Sequence, residues 1–268
     1  MTVACKSAGP LDGPLCFASL GSGSKGNATL VSDGETRLLV DCGFTLREAE
    51  RRLARLGVHP RQLDALLVTH EHGDHIRGVG PLARRYGVPV WLTPGTWASG
   101  RLGELPERYW ITPQARFAVK GLCIDPVTVP HDAREPVQFR IQGGGGRQLG
   151  LLTDLGHPTE HVVQAFAGCD ALVLECNHDV RMLAEGPYPP RLKRRVGGDW
   201  GHLANTQAAA LLARLGLDRL QHIACSHLSE HNNRPELALE ALVPLLDGDE
   251  SRLMVTCQDD GLAWQAIA

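Results

Sequence analysis

Three histidines and an aspartate lie within six residues of one segment, Thr69-His70-Glu71-His72-Gly73-Asp74-His75. The segment follows residues 65–68, an apolar run that predicts a buried strand. Side chains two apart on an extended chain point the same way, so His70 and His72 can bind one cation together. Imidazoles and carboxylates at this density cost free energy to hold together unless a metal ion compensates. The segment therefore predicts a metal site.

Four further polar residues follow apolar segments that read as strands. They are Asp41, His131, Asp154 and His227, which come after residues 38–40, 127–130, 151–153 and 223–226. Taken singly, each is better explained as a capping residue or as a satisfied polar group at a strand end. The segment 69–75 holds more ligands than one ion needs, but one loop cannot supply every ligand of two metal sites. Together, the four residues are therefore better explained as further ligands, at the sheet edge where that segment emerges.

The elements that must position these residues alternate along the chain. Strands are predicted at residues 15–20, 28–32, 37–40, 65–68, 90–92, 137–141, 148–152, 171–175, 220–224 and 253–256. Thr45 and Glu48 form a capping-box pattern that starts a helix, and Gly57 can end it. Further helices are predicted at residues 76–86, 158–166, 206–215 and 235–246. This order fits two mixed sheets with helices outside, and the glycines at 143–146 fit a hairpin turn better than a linker.

Composition narrows the function classes. The 268 residues are 43% hydrophobic and 5% aromatic, which predicts one domain over residues 1–268 with a core mainly of Leu, Val and Ala; residues 1–14 are expected to be a loosely ordered extension. No apolar run approaches the ~20 residues of a membrane span, and the start does not read as a leader, so a cytoplasmic protein that does not engage membranes is expected. The eight scattered cysteines predict reduced thiols. The net charge of −3 predicts that any phosphate affinity is local.

The motifs above resemble those of the metallo-β-lactamase superfamily, and the likeness runs from Phe17 to the C-terminal strand. It implies an α/β (α+β) fold, a four-layer αββα sandwich, with a binuclear site that holds a hydroxide shared between two divalent ions. The ligands it implies are His70, His72 and His131 for one ion, Asp74, His75 and His227 for the other, Asp154 as the bridge, and Asp41 in support of a ligand. Asp74 and His202 are the catalytic residues expected from this likeness.

The carboxylate at Asp154 resembles the phosphodiesterase and thioesterase branches, whereas many lactam-cleaving members have a cysteine there. Hydrolysis of lactams is therefore disfavoured, and Mn becomes an alternative to Zn. His202 precedes a helix that begins at Asn205 or Thr206, in the order seen in ribonuclease Z-like members, where a histidine reaches the scissile phosphate. A role in capping or in the core is the other interpretation of His202.

Two further segments suggest contacts with substrate. The cations Arg191, Lys193, Arg194 and Arg195 precede His202 and predict a path for backbone phosphates, although such runs are often only solvated. Ser22, Ser24, Lys25 and Asn27 lie in a Gly-rich loop that can line the cleft, or form an ordinary hairpin turn. Together with the segments 174–179, 188–191, 201–205 and 227–233, which include His178 and Asn205, this set resembles the YycJ/WalJ branch of 5′ to 3′ double-stranded DNA exonucleases implicated in mismatch repair. Ala204 replaces a commoner serine of that branch, and His231 falls in a variable slot.

The sequence thus predicts a hydrolase with two divalent ions, Zn or Mn, that acts on DNA, most specifically as a 5′ to 3′ exonuclease. One alternative is a hydrolase of a small cyclic or nucleotide phosphodiester, or of a thioester of the glyoxalase II kind. Another is a metal-binding protein without catalysis. The physiological metal, exo against endo cleavage, RNA against DNA, and the oligomeric state, with a homodimer as one alternative, are left open.

Overall fold

Two seven-stranded sheets form the frame of the computed structural model, which describes residues 13–268. The expected N-terminal extension lies outside the described residues except for Gly13 and Pro14. The strands are β1 (Leu15–Gly21), β2 (Ala28–Ser32), β3 (Arg37–Val40), β4 (Ala65–Leu67), β5 (Val90–Leu92), β6 (Arg108–Trp110), β7 (Phe117–Val119), β8 (Leu122–Thr128), β9 (Val137–Gln142), β10 (Gln148–Leu152), β11 (Ala171–Glu175), β12 (His222–Ser226), β13 (Leu253–Val255) and β14 (Leu262–Ile267).

Nine α-helices connect the strands of the described chain. They are α1 (Leu46–Arg55), α2 (Gly73–Ile76), α3 (Val79–Tyr86), α4 (Pro94–Trp97), α5 (Glu160–Phe166), α6 (Val180–Glu185), α7 (Pro190–Val196), α8 (Asn205–Leu215) and α9 (Pro235–Leu242). Single 3₁₀ turns occur at Pro60–Gln62, Gly144–Gly146, Val243–Leu245 and Glu250–Arg252. The longest helices cover the outer faces of the sheets, as the amphipathic spacing of α1 and α8 predicts.

The sheets have the strand orders β14-β1-β2-β3-β4-β5-β6 and β13-β12-β11-β10-β9-β8-β7. Strands β3 to β6 run parallel, as do β10 to β13, and the remaining pairs are antiparallel. The carboxyl ends of parallel strands meet at one edge of a sheet, which is where open α/β sheets place ligands. The loops after β3, β4, β10 and β12 carry Asp41, the segment 69–75, Asp154 and His227, whereas His131 follows the antiparallel strand β8.

Three apolar layers separate the four layers of secondary structure. The central one packs Phe17 and Phe139 between the two sheets. Leu53 of α1 packs against the outer face of the first sheet, and Leu211 of α8 against that of the second. Burial on both sides explains why the strands read as nearly continuous apolar runs. The αββα architecture expected from the sequence is confirmed.

Three of the strand-end residues have a left-handed backbone. The φ angles of Asp41, Asp154 and His227 are 61°, 52° and 56°. This region is uncommon for residues with a Cβ atom, and such residues concentrate at functional sites. The chain therefore adopts a strained conformation at the ends of β3, β10 and β12.

Several predicted elements differ from the structure. The helix expected over residues 76–86 is two helices, α2 and α3, because the Gly78 amide donates to the Cys42 carbonyl and turns the chain. The strand expected at 220–224 begins two residues later, and the helix expected to run to 246 gives way to a 3₁₀ turn after Leu242. The hairpin at 143–146 is confirmed, since β9 and β10 pair antiparallel around it.

The described cysteines largely follow the expectation of reduced thiols. Cys42, Cys169, Cys176 and Cys225 are buried free thiols, and Cys16 and Cys257 are also free. Cys123 is disulfide-bonded, so the expectation is wrong for that residue. Among residues 13–268, no helix is both long and apolar enough to cross a bilayer.

Candidate metal centre

A first cluster joins the loop after β4 to the loop after β8. His70, His72 and His131 each offer one nitrogen, and these atoms lie within 4.8 Å of one another. Nε2 of His70 is buried without a hydrogen-bond partner, while its Nδ1 lies 2.9 Å from the Thr69 hydroxyl. Nδ1 of His131 donates to the Gly201 carbonyl at 3.0 Å, so Nε2, which lies 3.2 Å from Nδ1 of His72, carries the lone pair. Burial lowers the pKa of His70 and of His131, so both rings favour the neutral form that binds metal.

A second cluster brings α2 to the loop after β12. Asp74, His75 and His227 again offer atoms within 4.8 Å of one another. Oδ2 of Asp74 lies 3.5 Å from Nε2 of His75 and 3.4 Å from Nε2 of His227. Burial raises the pKa of Asp74, but the neighbouring histidines outweigh it and lower the pKa to about 2. The carboxylate is therefore ionised, as a ligand must be.

Asp154 lies between the two clusters. Its Oδ2 is 3.1 Å from Nε2 of His75, and its Oδ1 is 3.8 Å from Nε2 of His131. Oδ2 is buried and accepts no hydrogen bond from the described residues. Burial raises the pKa of Asp154, but His227 and His75 counteract it and hold the pKa well below its usual value. One ionised carboxylate is thus within reach of both sets of nitrogens.

The centre attracts positive charge. Burial disfavours the charged form of His227, yet Asp154, Asp74 and Glu175 outweigh it and raise the pKa of His227 to about 10. The pKa of His75 is likewise raised well above its usual value by Asp154, Asp74 and Asp41, against the effect of burial. Buried nitrogen and oxygen donors that surround unpartnered atoms fit a divalent cation of the Zn or Mn type.

Asp41 supports this centre from behind. Its Oδ2 accepts hydrogen bonds from Nδ1 of His75 at 2.8 Å and from the Thr69 hydroxyl at 2.7 Å. Its Oδ1 accepts from the Thr69 amide at 2.9 Å. A carboxylate on Nδ1 fixes the tautomer in which Nε2 of His75 faces Asp74 and Asp154. The contacts place Asp41 where the sequence resemblance puts a supporting carboxylate.

Glu175, the last residue of β11, is a site residue that the sequence analysis missed. Its Oε1 accepts from Nδ1 of His202 at 2.8 Å and from Nδ1 of His227 at 3.0 Å. Its Oε2 accepts from the amides of Leu155 and Leu203. Burial raises the pKa of Glu175, but His202 and His227 outweigh it and lower the pKa to about 2. The signal was present, because Glu175 ends an apolar strand just as the other ligand candidates do.

A cleft of about 310 Å³ opens onto the two clusters. Asp74, Asp154, His202 and His227 line its floor and walls, together with Ser24 and Arg195. His202 is partly exposed, and its Nδ1 is occupied by Glu175, so Nε2 is the nitrogen available to a ligand. A molecule in this cleft would touch both the candidate metal ligands and His202.

Of the residues predicted to bind substrate, some line the cleft and others are buried beside it. Ser24 and Arg195 line the cleft, whereas Ser22 and Asn27 are buried beside it, where Ser22 accepts from the His227 amide at 2.8 Å. Asn27 extends its amide to within 3.3 Å of Oδ2 of Asp74. Both residues hold ligand candidates in place and do not form the cleft wall.

His178 and Asn205 lie away from the cleft wall. Both are buried, and Asn205 exchanges side-chain hydrogen bonds of 2.9 Å with Asn233. The pKa of His178 is lowered to about 4 by burial, so its ring is neutral. The Asn205 amide donates to the His178 carbonyl at 2.9 Å, so these two residues join segments of the fold, and neither is in the lining of the cleft.

The predicted phosphate path forms helix α7. Arg195 makes an ion pair with Asp132 at the cleft, and Lys193 turns back to donate to the Ala184 carbonyl at 2.6 Å. Arg191 and Arg194 are exposed, and their guanidinium groups have no hydrogen bond or ion pair within residues 13–268. One of the four cations therefore reaches the cleft directly.

Comparison with known proteins decides the family. The model described as "Beta-lactamase superfamily domain" matches residues 36–223. The chain belongs to the β-lactamase superfamily. That range includes most residues of both clusters and ends at β12, just before His227.

Relatives within the superfamily are close in sequence. The chain is 36% identical over 237 residues to "Exodeoxyribonuclease YycJ" of Bacillus anthracis, with 87% of this chain and 89% of the relative covered. It is 36% identical over 233 residues to "Exodeoxyribonuclease WalJ" of Streptococcus pneumoniae, with 85% and 86% covered. The YycJ/WalJ likeness expected from the sequence is confirmed.

A solved structure shares the fold. The metallo-beta-lactamase fold protein YhfI from Bacillus subtilis superimposes with a TM-score of 0.73 at 18% identity, over 94% of this chain and 99% of that one. Membership of the β-lactamase superfamily, together with the His/Asp clusters, identifies this chain as a metal-dependent hydrolase.

Proposed function

We propose that this protein is a DNA exonuclease that uses two divalent metal ions, Zn or Mn, to hydrolyse phosphodiester bonds in the 5′ to 3′ direction. The observation that carries the proposal is the pair of ligand clusters that share Asp154 at the floor of one cleft, in a chain 36% identical to proteins named exodeoxyribonucleases. Two adjacent cation sites at an open cleft suit the displacement of an oxygen from phosphorus.

The residues that would hold the ions are those of the two clusters. His70, His72 and His131 would bind one ion, Asp74, His75 and His227 the other, and Asp154 both. Bound there, the ions would supply a nucleophile from water at neutral pH and offset the charge that develops on the phosphate. Asp41 and Glu175 would fix the tautomers of His75 and His227, so that Nε2 of each ring points to the ion.

His202 would act on the substrate itself. Glu175 accepts a hydrogen bond from its Nδ1, so Nε2 is the atom that can bind a phosphate oxygen or pass a proton to the leaving oxygen. The residue is therefore a general acid in this proposal.

The basic residues at and beyond the cleft suit a polyanionic substrate. Arg195 lies at the cleft, and exposed Arg191 and Arg194 continue along α7. Neutralisation of backbone phosphates supplies much of the affinity of proteins for DNA. A cytoplasmic location follows from the sequence expectation and remains a prediction.

The test is degradation of end-labelled duplex DNA by the purified protein with added Mn²⁺ or Zn²⁺. We expect stepwise loss of nucleotides from 5′ ends, and no activity in a His72→Ala/Asp74→Ala variant. His161→Asn, an exposed histidine of α5, is the control. Cleavage that survives in the double variant would contradict the metal-dependent mechanism.

A second assay separates DNA from a small substrate. Reversal of the charges at Arg191 and Arg194 should depress DNA cleavage much more than turnover of a chromogenic phosphodiester. Equal losses on both substrates would favour a small phosphodiester instead. Labelled products of internal size would identify an endonuclease.

A further inference from the structure

A second groove begins at the candidate metal centre. It has a volume of about 590 Å³ and shares Ser24, Gly73 and Asp74 with the cleft that contains His202. No residue of α7 lines it. The groove therefore leads from the reaction site across a part of the surface that the predicted phosphate path does not reach.

Three cations line this groove. Lys25 comes from the loop after β1, Arg77 directly follows α2, and Arg101 lies in the loop after α4. The single carboxylate in the lining is Asp74, which is engaged with His75 and His227. The groove thus concentrates positive charge in a chain whose formal net charge is −3.

The cations are available to a ligand. The Arg77 guanidinium has no hydrogen bond or ion pair with any residue in the range 13–268, and Arg101 makes only a 3.4 Å contact with the Glu71 carbonyl. Lys25 pairs with Glu230 at 2.8 Å, but both side chains are more than half exposed. Such a surface pair contributes little and exchanges readily for a phosphate.

The backbone that carries these side chains is well anchored. The Lys25 amide donates to Oε1 of Gln258 at 2.8 Å, and Nε2 of Gln258 donates to the Gly26 carbonyl at 2.9 Å. The Arg77 amide donates to the Gly73 carbonyl at the end of α2. Because the backbone is already ordered, only the side chains lose conformational freedom when they bind an anion, which suits a phosphate site.

We propose that the groove of Lys25, Arg77 and Arg101 binds backbone phosphates of the DNA strand beyond the scissile bond. The inference rests on the proposed function and adds a second contact region on the same substrate. The spread of the cations over three loops fits successive phosphates of a polymer. A lone terminal phosphate is the other source of the same chemistry.

The test compares two double variants that remove the same charge. Arg77→Ala/Arg101→Ala changes the groove, and Arg47→Ala/Arg61→Ala changes exposed arginines that line neither cavity. Binding of fluorescent duplex DNA is measured by anisotropy at several salt concentrations, with 5′-phosphate and with 5′-hydroxyl ends. Melting temperatures confirm that both variants fold.

We expect the groove variant to bind DNA more weakly by on the order of tenfold or more, with the slope of log affinity against log salt reduced by roughly two. The loss should be equal for both kinds of 5′ end, and the control variant should bind like the wild type. Unchanged affinity and slope in the groove variant, while the wild type degrades DNA, overturn this inference and leave the proposed function intact. A loss confined to 5′-phosphorylated DNA overturns the backbone assignment in favour of the terminal phosphate. A wild type that neither binds nor degrades DNA overturns both.

Discussion

Nδ1 of His202 lies 2.8 Å from Oε1 of Glu175, a carboxylate with no exposed surface. The same oxygen accepts from Nδ1 of His227 at 3.0 Å. One buried carboxylate therefore fixes both the histidine that faces the cleft and a histidine of the second ligand cluster. A change at Glu175 should disturb catalysis and metal binding together.

Glu175→Gln is expected to lower kcat by about 10- to 100-fold, in the range seen when supports of metal ligands are removed. The amide keeps one acceptor oxygen, so its NH₂ group must face either the two rings or the amides of Leu155 and Leu203, all of which are donors. Activity and metal content, measured on the same sample, check this. Glu50→Gln, which changes a carboxylate of α1 bonded to Tyr86, should leave both values as they are. Full activity in Glu175→Gln would remove Glu175 from the mechanism.

Asp41→Asn should weaken metal binding by roughly 10- to 100-fold, because the amide cannot accept from Thr69 and His75 as the carboxylate does. Competition with a chromophoric chelator measures the affinity. Asp33→Asn is the matched control, since Asp33 is also a buried carboxylate that accepts from backbone amides, but in the turn before β3. Equal affinities in both variants would contradict the role given to Asp41.

The stability of the metal-free protein should fall at alkaline pH. The pKa of His227 is raised from 6.5 to about 10, with burial opposed and outweighed by Asp154, Asp74 and Glu175. A raised pKa stabilises the folded state fully below about pH 6.5, and this contribution disappears as the pH rises through about 10. Thermal unfolding in the presence of a chelator, from pH 6 to pH 10, measures it. His227→Asn should show a shallower decline, and an identical decline would refute the assignment.

Gly43→Ala should displace Asp74 and reduce metal content. A Cβ atom on Gly43 would lie 1.7 Å from the carbonyl oxygen of Asp74, in a place where Asn27 hydrogen-bonds to both residues through its backbone. Overpacking of this kind typically costs about 1–3 kcal/mol. Denaturant unfolding and metal analysis test the effect, and a variant with the stability and metal content of the wild type would show that the loop adjusts without cost.

Much of the centre was accessible from the sequence because its ligands follow buried strands. Asp41, Asp154 and His227 each end an apolar run, and parallel pairing brings such ends to one edge. Glu175 obeys the same rule but is not predicted as a site residue, because it is the last residue within the predicted strand and does not follow it. Its partners, His202 and His227, come from loops that only the tertiary fold brings together.

Other features of the structure have no local sequence pattern that predicts them, or have a pattern that also fits another interpretation. Strand β6, Arg108–Trp110, lies at a sheet edge with all three residues exposed, so no alternation of buried apolar residues marks it. The residues of helix α7 form a run of charges, which by itself does not predict a helix. Pro190 in the first turn is nevertheless a residue that is common where helices begin. The groove of Lys25, Arg77 and Arg101 assembles cations that are far apart in the chain, which no local pattern reveals.

At Asp41, Asp154 and His227, where the backbone is left-handed, stability and activity favour different residues. Glycine would adopt these angles freely, so Asp154→Gly would relax the chain and yet delete the carboxylate that lies within reach of both ligand clusters. Selection for thermal stability alone would therefore favour variants without activity. Selection that also requires hydrolysis would have to raise stability at residues far from the ends of β3, β10 and β12.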